Sequence, residues 1–319
     1  MKRTGGQLNG FAAPAPINTM NKTLLCRLAA VLSLAMLGTA SPTPAGASTF
    51  PALNDPKSPE THAGKFVWAE LFTSDAAAAT KFYTAVFSWT ASTVVEHGDT
   101  YTVFSNDGHP VAGLRQRTVA KAGHPARWIH YASVTDIDAA LSVVAKAGGE
   151  VRAPARKFPK LGSLAIATDS EGSPFGLLQS SSGDSADNEP ANGGWNWCHL
   201  FVKNPKAAAD FYRQVLGYEV APDSRTGSGS ELLLSTGGVN RGGASVLPDS
   251  EEAKPGWLGV VRVISLDEAL ARVPSLGGEV MVPPHDAAFG SRFAVIADPT
   301  GGTVGIVQYV DNANPATRP

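Results

Sequence analysis

One stretch of this chain occurs twice at a fixed spacing. "WAELFTSDAAAATKFY" runs from Trp68 to Tyr83 and "WCHLFVKNPKAAADFY" from Trp197 to Tyr212, an offset of 129 residues (197 − 68). The same offset links Gly148-Gly149-Glu150 to Gly277-Gly278-Glu279, Asp169 to Asp298, Gly172 to Gly301 and Gln179 to Gln308. An offset kept from Trp68 to Gln179 means a tandem duplication with no net insertion between those landmarks. Two cores of ordinary size fit within 319 residues that are 43% hydrophobic and 17% charged. Between the copies, the run from Ser180 to Gly194 is small, polar and rich in turn formers, the composition of a flexible linker.

A weaker period of 61 residues (136 − 75) lies inside each copy. Strand-like "FVWAELFT" leads to Asp75 and an alanine-rich helix, and strand-like "WIHYASVT" leads to Asp136 and the helix "IDAALSVVAKAGG". Asn204 and Ser265 mark the same junctions in the second copy. Each of these side chains can accept from orphan N–H groups in the first helical turn. Pro205 falls at a first helical position, and Ser265 with Glu268 has capping-box spacing. Runs such as "TYTVFS", "LAIATD", "ELLLS" and "FAVIAD" follow, β-rich and bounded by turn formers. The unit is strand, helix, then several strands, four times over.

That order, with the "GGE" after the second helix and the closing "DSEGSPFGLLQ" and "DPTGGTVGIVQ", resembles the vicinal oxygen chelate superfamily of glyoxalase I, bleomycin-resistance proteins and extradiol dioxygenases. The resemblance covers most of Lys65 to Val310. It implies an α+β fold of two tandem domains, 65–180 and 195–310, joined by a linker at 181–194. Each domain would pair two βαβββ modules into an open barrel of mixed sheet that cups a cavity.

Strand alternation then sorts side chains by face. Ala69, Leu71, His130, Cys198 and Gly259 share the parity that faces the helices. Trp68, Glu70 and Phe72, Tyr131, then Trp197, His199 and Phe201, and finally Arg262 share the parity that faces the cups. These eight are the candidate ligand-binding residues. In metal-dependent members of the family a His or Gln stands seven residues before the junction residue, and a Glu seven after the Asp of the closing turn. Carried over, those positions fall on Trp68, Ile129, Trp197 and Leu258, and on Gly176 and Gly305; the remaining ligand position falls near Gly113 and Gly242. None of these can hold an ion. The expectation is a small-molecule ligand with no metal cofactor.

Alternatives stay open at this stage. A divalent metal on non-standard donors such as Glu70 and His199 would make the protein a glyoxalase-like lyase, isomerase or dioxygenase, although stable centres need three or four protein donors. A mainly structural module is a third reading. Glu70 could pair with Arg115, and the two tryptophans could be barrel core. An inward Arg262 needs an anion from ligand or protein. His130 reads as a satisfied core residue and His285 as a solvated loop residue. No G-x-S-x-G elbow, Walker loop, H-E-x-x-H pair or zinc-spaced cysteine cluster occurs, and "GSGS" at Gly227 to Ser230 reads as a flexible turn.

The flanks and the charge limit partners and location. After Met20 come Lys22 and Arg27, the apolar run Leu28 to Leu37, then Ala45-Gly46-Ala47 before Ser48, the layout of a secretory signal. The run is about half of the roughly 20 residues that span a bilayer, which argues against a stable anchor. The expected division is a signal peptide with upstream extension at 1–47, an N-terminal linker at 48–64 and a tail at 311–319. Export to the periplasm or beyond would make glutathione scarce. It would also remove Cys26, leaving Cys198 without a disulfide partner. A net charge of −2 with no basic run excludes a nucleic-acid field. A monomer whose two domains pair with each other is the expected assembly.

Overall fold

The computed structural model describes residues 50–96, 99–117, 126–224, 231–249, 254–287 and 290–309. The signal segment with Cys26, the "GSGS" turn and the C-terminal tail lie outside them. The first module comprises β1 (Phe66–Thr73), α1 (Ala76–Phe87), β2 (Thr90–Glu96), β3 (Asp99–Asn106) and β4 (His109–Gln116). The second comprises β5 (Arg127–Ser133), α2 (Ile137–Lys146), β6 (Glu150–Phe158), β7 (Gly162–Thr168) and β8 (Pro174–Ser180). In the second domain come β9 (Trp195–Val202), α3 (Pro205–Leu216), β10 (Glu219–Pro222), β11 (Leu232–Thr236) and β12 (Val239–Val246). They are followed by β13 (Gly256–Arg262), α4 (Leu266–Arg272), β14 (Glu279–Ala287), β15 (Ser291–Ala297) and β16 (Thr303–Tyr309). Among the described residues no helix is long and apolar enough to cross a membrane.

The helices start where local chemistry dictates. Asp75 accepts from the Ala78 N–H at 3.0 Å, Asp136 from Ala139 at 2.9 Å, Asn204 from Ala207 at 3.2 Å and Ser265 from Glu268 at 3.2 Å. Each cap satisfies one of the unpaired donors of the first turn. Glu268 pairs with Arg272 at 3.6 Å.

Each domain is one eight-stranded mixed sheet, in the order β2-β3-β4-β1-β5-β8-β7-β6 and its counterpart β10-β11-β12-β9-β13-β16-β15-β14. Inside a module the first strand runs parallel to the last, β1 with β4 and β5 with β8, while β1 and β5 join the modules antiparallel. The sheet curls. Tyr101 of β3 and Phe158 of β6, from opposite ends of the strand order, both meet Phe50, with ring centroids 4.5 and 4.8 Å away.

The ladder corrects one inference from the repeat. Glu70 pairs with Gly113, but His199 pairs with Gly243 rather than Gly242. The β3–β4 and β11–β12 hairpins match at a local offset of 130 (239 − 109), down to a register shift after Phe104 and after Leu234. An extra residue before β11 is cancelled before β13. The net offset of 129 concealed it.

The helix-facing sides make cores shared between domains. One cluster joins Leu71, Phe82 and Val86 of the first module to Val261, Leu266 and Ile296 of the fourth. The other joins Val134, Val144 and Phe175 of the second module to Leu200, Phe211 and Leu216 of the third. Two reciprocal clasps cross the same boundary. Trp128 donates to the Tyr83 hydroxyl at 2.8 Å, and Tyr83 donates to Asp298 at 2.8 Å. Trp257 donates to Tyr212 at 2.8 Å, and Tyr212 donates to Asp169 at 3.2 Å. Thus Tyr83, Trp128 and Asp169, with their repeats, hold one domain to the other. His130 and its repeat Gly259 meet at the centre of this arrangement, and a Cβ on Gly259 would strike the imidazole.

The linker is anchored along its length, in contrast to the flexibility its composition suggests. Asn54 donates to Gly183, the Asp184 carboxyl accepts from Ser133 and from the His62 N–H, and Arg241 donates to Asp187. These partners lie far away in the chain, so composition alone carries no trace of them.

Candidate functional site

The two cups have the same walls and different contents. In the first, Trp68 and Tyr131 are buried in a packed cluster with Tyr101, Ile129, Phe158, Leu161 and Leu178, and Phe72 packs against it half-buried. Phe50, from the segment before β1, completes the filling at 1% exposure. At its base Glu70, 2% exposed, accepts from the Tyr101 hydroxyl at 2.6 Å and from the Tyr131 hydroxyl. Burial, and then the neighbouring Glu70, hold both phenols well above the ordinary tyrosine range, so they remain donors. Arg115 stands 3.7 Å from Glu70 and lies over the Tyr101 ring at 4.6 Å. The carboxyl is therefore met chiefly by two hydroxyls, with the expected arginine as a more distant partner.

Two glycines make this arrangement possible. A Cβ on Gly113 would fall on the Tyr101 hydroxyl, and one on Gly176 would press into the Tyr131 ring, 2.2 Å from its nearest atom. At the positions where the family resemblance implies metal ligands, this cup has bare backbone whose space a neighbouring phenol takes. Tyr101 escaped the sequence reading. Its face depends on the β3–β4 register, which alternation alone does not supply.

In the second cup Trp197, His199 and Phe201 are each only half-buried. Val260 replaces Tyr131 and, at the local offset of 130, Ser245 replaces Arg115 and Glu231 replaces Tyr101. His199 Nε2 lies 2.8 Å from Ser245 Oγ, and its ring is 4.7 Å from Phe201. Burial lowers the His199 pKa to about 4, opposed by Asp223, so the imidazole is neutral near pH 7. Phe293 lies against Gly305, 2.9 Å from where a Cβ would stand. Half-exposed aromatic rings around a neutral imidazole suit a planar, largely apolar ligand needing one hydrogen bond.

Arg262 donates to Glu189 at 2.5 Å and to the Pro190 carbonyl at 3.1 Å, so the linker supplies its anion. His130 is buried on the helix-facing side, but its Nε2 has no hydrogen-bond partner, unlike the satisfied core histidine expected. Burial lowers its pKa to about 3. His285 is exposed but belongs to β14, not to a loop.

A metal centre does not fit these donors. Among the described residues no three His, Cys, Asp or Glu side chains converge on one point. Glu70 and His199 lie in different cups, the first accepting from phenols and the second against a serine hydroxyl. Two such groups fall short of the three or four donors of a stable site.

Comparison with known proteins agrees with this architecture. The profile of the Glyoxalase/Bleomycin resistance protein/Dioxygenase superfamily matches residues 65–176 and again 194–306. The chain belongs to that superfamily, as two tandem domains. It is 30% identical over 260 residues to "Putative glyoxylase CFP32" of Mycobacterium tuberculosis, covering 79% of this chain and 98% of that one. It is also 30% identical over 258 residues to the anthracycline biosynthesis protein DnrV of Streptomyces peucetius, covering 77% and 93%. Among solved structures, the Mn(II)-bound glyoxalase of Novosphingobium aromaticivorans superposes with a TM-score of 0.54 at 17% identity, covering 81% of this chain and 86% of that one. At that identity the likeness is one of fold.

Proposed function

We propose that this chain is an exported small-molecule binding protein whose second cup takes a planar aromatic compound without a metal ion. The carrying observation is the divergence of the cups, the first closed by its own phenols and Phe50, the second leaving Trp197, His199 and Phe201 half-exposed. Trp197 and Phe201 supply contact area, and neutral His199 supplies the orienting hydrogen bond. The likeness to an anthracycline biosynthesis protein supports a fused-ring ligand. A metal-dependent dioxygenase or glyoxalase reading is less favoured, because among the described residues no three His, Cys, Asp or Glu side chains converge.

Titration with 2-naphthol, followed by tryptophan fluorescence, tests the cup. Trp197→Ala is expected to weaken binding about tenfold, the scale of one lost aromatic contact. Unchanged affinity in that variant would overturn the assignment. So would protein prepared without chelator that carries stoichiometric divalent metal, if removing the metal abolished an activity. Export belongs to the same proposal and predicts a mature N-terminus at Ser48 by mass spectrometry; protein retaining Met1 or Met20 outside the cytoplasm would contradict it. Sizing chromatography is expected to show a monomer.

A further inference from the structure

The linker carries a carboxylate that is bound as a ligand would be. Asp187 accepts from Arg241 Nη1 at 2.5 Å and from Nη2 at 2.9 Å, one bond to each oxygen. Lys65 Nζ stands 3.0 Å from the same carboxylate and also donates to the carbonyls of Ser185 and Ala186 at 2.6 and 2.9 Å. The Arg241 side chain is only 6% exposed, and its Nε is spent on Thr236 Oγ1 at 2.9 Å. A buried guanidinium oriented by a third bond is a preformed fork for a planar anion. Partial burial pushes Asp187 upward, but bonds from Arg241 and Lys65 outweigh it and hold its pKa at about 2.

The backbone device that aims Arg241 is present in both copies, but its charge is not. Leu234 pairs with Gly242 and Ser235 with Asn240, so Arg241 is the residue the ladder skips, the extra residue of a β-bulge. The first copy has the same bulge, between the pairs Phe104–Ala112 and Ser105–Pro110, and there the skipped residue is Val111. The scaffold is therefore indifferent to a cation at this point. A cavity of about 250 Å³ adjoins the fork, lined by Asp187, Arg241, Lys65, Trp195, Asn196 and Trp197. Trp197 is thus common to this cavity and to the second cup.

We propose that Arg241 and Lys65 form a carboxylate-binding subsite beside the second cup, filled by Asp187 until the carboxylate of an aromatic acid displaces it. This inference rests on the second-cup reading and extends it to a ligand class, arene carboxylates. Asp187 is then an intramolecular competitor, and removing its charge exposes the subsite to external anions.

The test compares 2-naphthoate with 2-naphthol, which share a ring system and differ in charge. Asp187→Asn is expected to bind naphthoate about tenfold more tightly than wild type, with naphthol affinity unchanged. Adding Arg241→Gln, or Lys65→Gln should the arginine variant fail to fold, is expected to abolish that gain. Independently, acetate is expected to raise the Tm of Asp187→Asn more than chloride does at equal ionic strength. If both rings bind but naphthoate gains nothing and acetate matches chloride, the subsite is overturned and the cup reading stands. If neither ring binds any variant, both fall.

Discussion

At the scale of single residues, the two copies differ most where glycine faces a side chain. Gly113 and Gly243 occupy the same ladder position, beside Glu70 and His199 respectively. A methyl at Gly113 would displace Tyr101, which is buried and bonded to Glu70. Gly113→Ala is therefore expected to cost about 2–3 kcal/mol by overpacking, read as a lowered denaturant midpoint. At Gly243 the methyl would lie 2.8 Å from His199 Nδ1, a half-buried side chain rather than one sealed in the core. Gly243→Ala is expected to cost less than about 1 kcal/mol of stability. Equal losses in the two variants would show that the second cup is packed as tightly as the first. The inward positions of Trp68 and Glu70 were legible from alternation. Tyr101 and Arg241 were not, because a hairpin register places the first and a bulge re-aims the second.

At the scale of elements, the helix starts were the most readable feature, since a cap and the N–H that donates to it lie three residues apart. Asp75→Ala is expected to destabilise the protein by about 1 kcal/mol, and Asp75→Asn much less, because the amide oxygen can still accept from Ala78. Thermal unfolding of the pair checks this, and equal loss in both would put the Asp75 contribution in its charge. The hairpins were less readable. An extra residue before β11 and its compensation before β13 cancel in the overall spacing, so only hydrogen-bond pairing reveals the displaced register.

At the scale of the whole molecule, stability depends on the surface between the domains, where both helix-side cores and both Tyr–Asp clasps lie. His130 is buried at its centre against Gly259 and Trp195. Its folded pKa, about 3, lies below the ordinary unfolded value near 6.5, so the unfolded chain binds more protons between these limits. The stability this confers is present above pH 6.5 and is lost as pH falls toward 3. Between pH 7 and pH 5 the expected loss is about 2 kcal/mol from this group. His130→Gln is expected to remove about half of the slope there, measured by urea denaturation at both pH values, because His199, with its pKa lowered to about 4, supplies a similar share. An unchanged slope would place the titrating group elsewhere.

The capped helices and strand faces are written in short-range spacing, the repeat in a constant offset, and the superfamily in the resemblance carried by the order of these parts. Which cup is closed and which is open was decided only in three dimensions. Phe50 fills the first cup from outside the repeat, Tyr101 reaches Glu70 across a hairpin, and linker carboxylates meet Arg241 and Arg262 from elsewhere in the chain. The physical reason is range. Caps and pleats act over a few residues, whereas filling a cavity and neutralising a buried charge depend on whichever distant side chain the fold brings near.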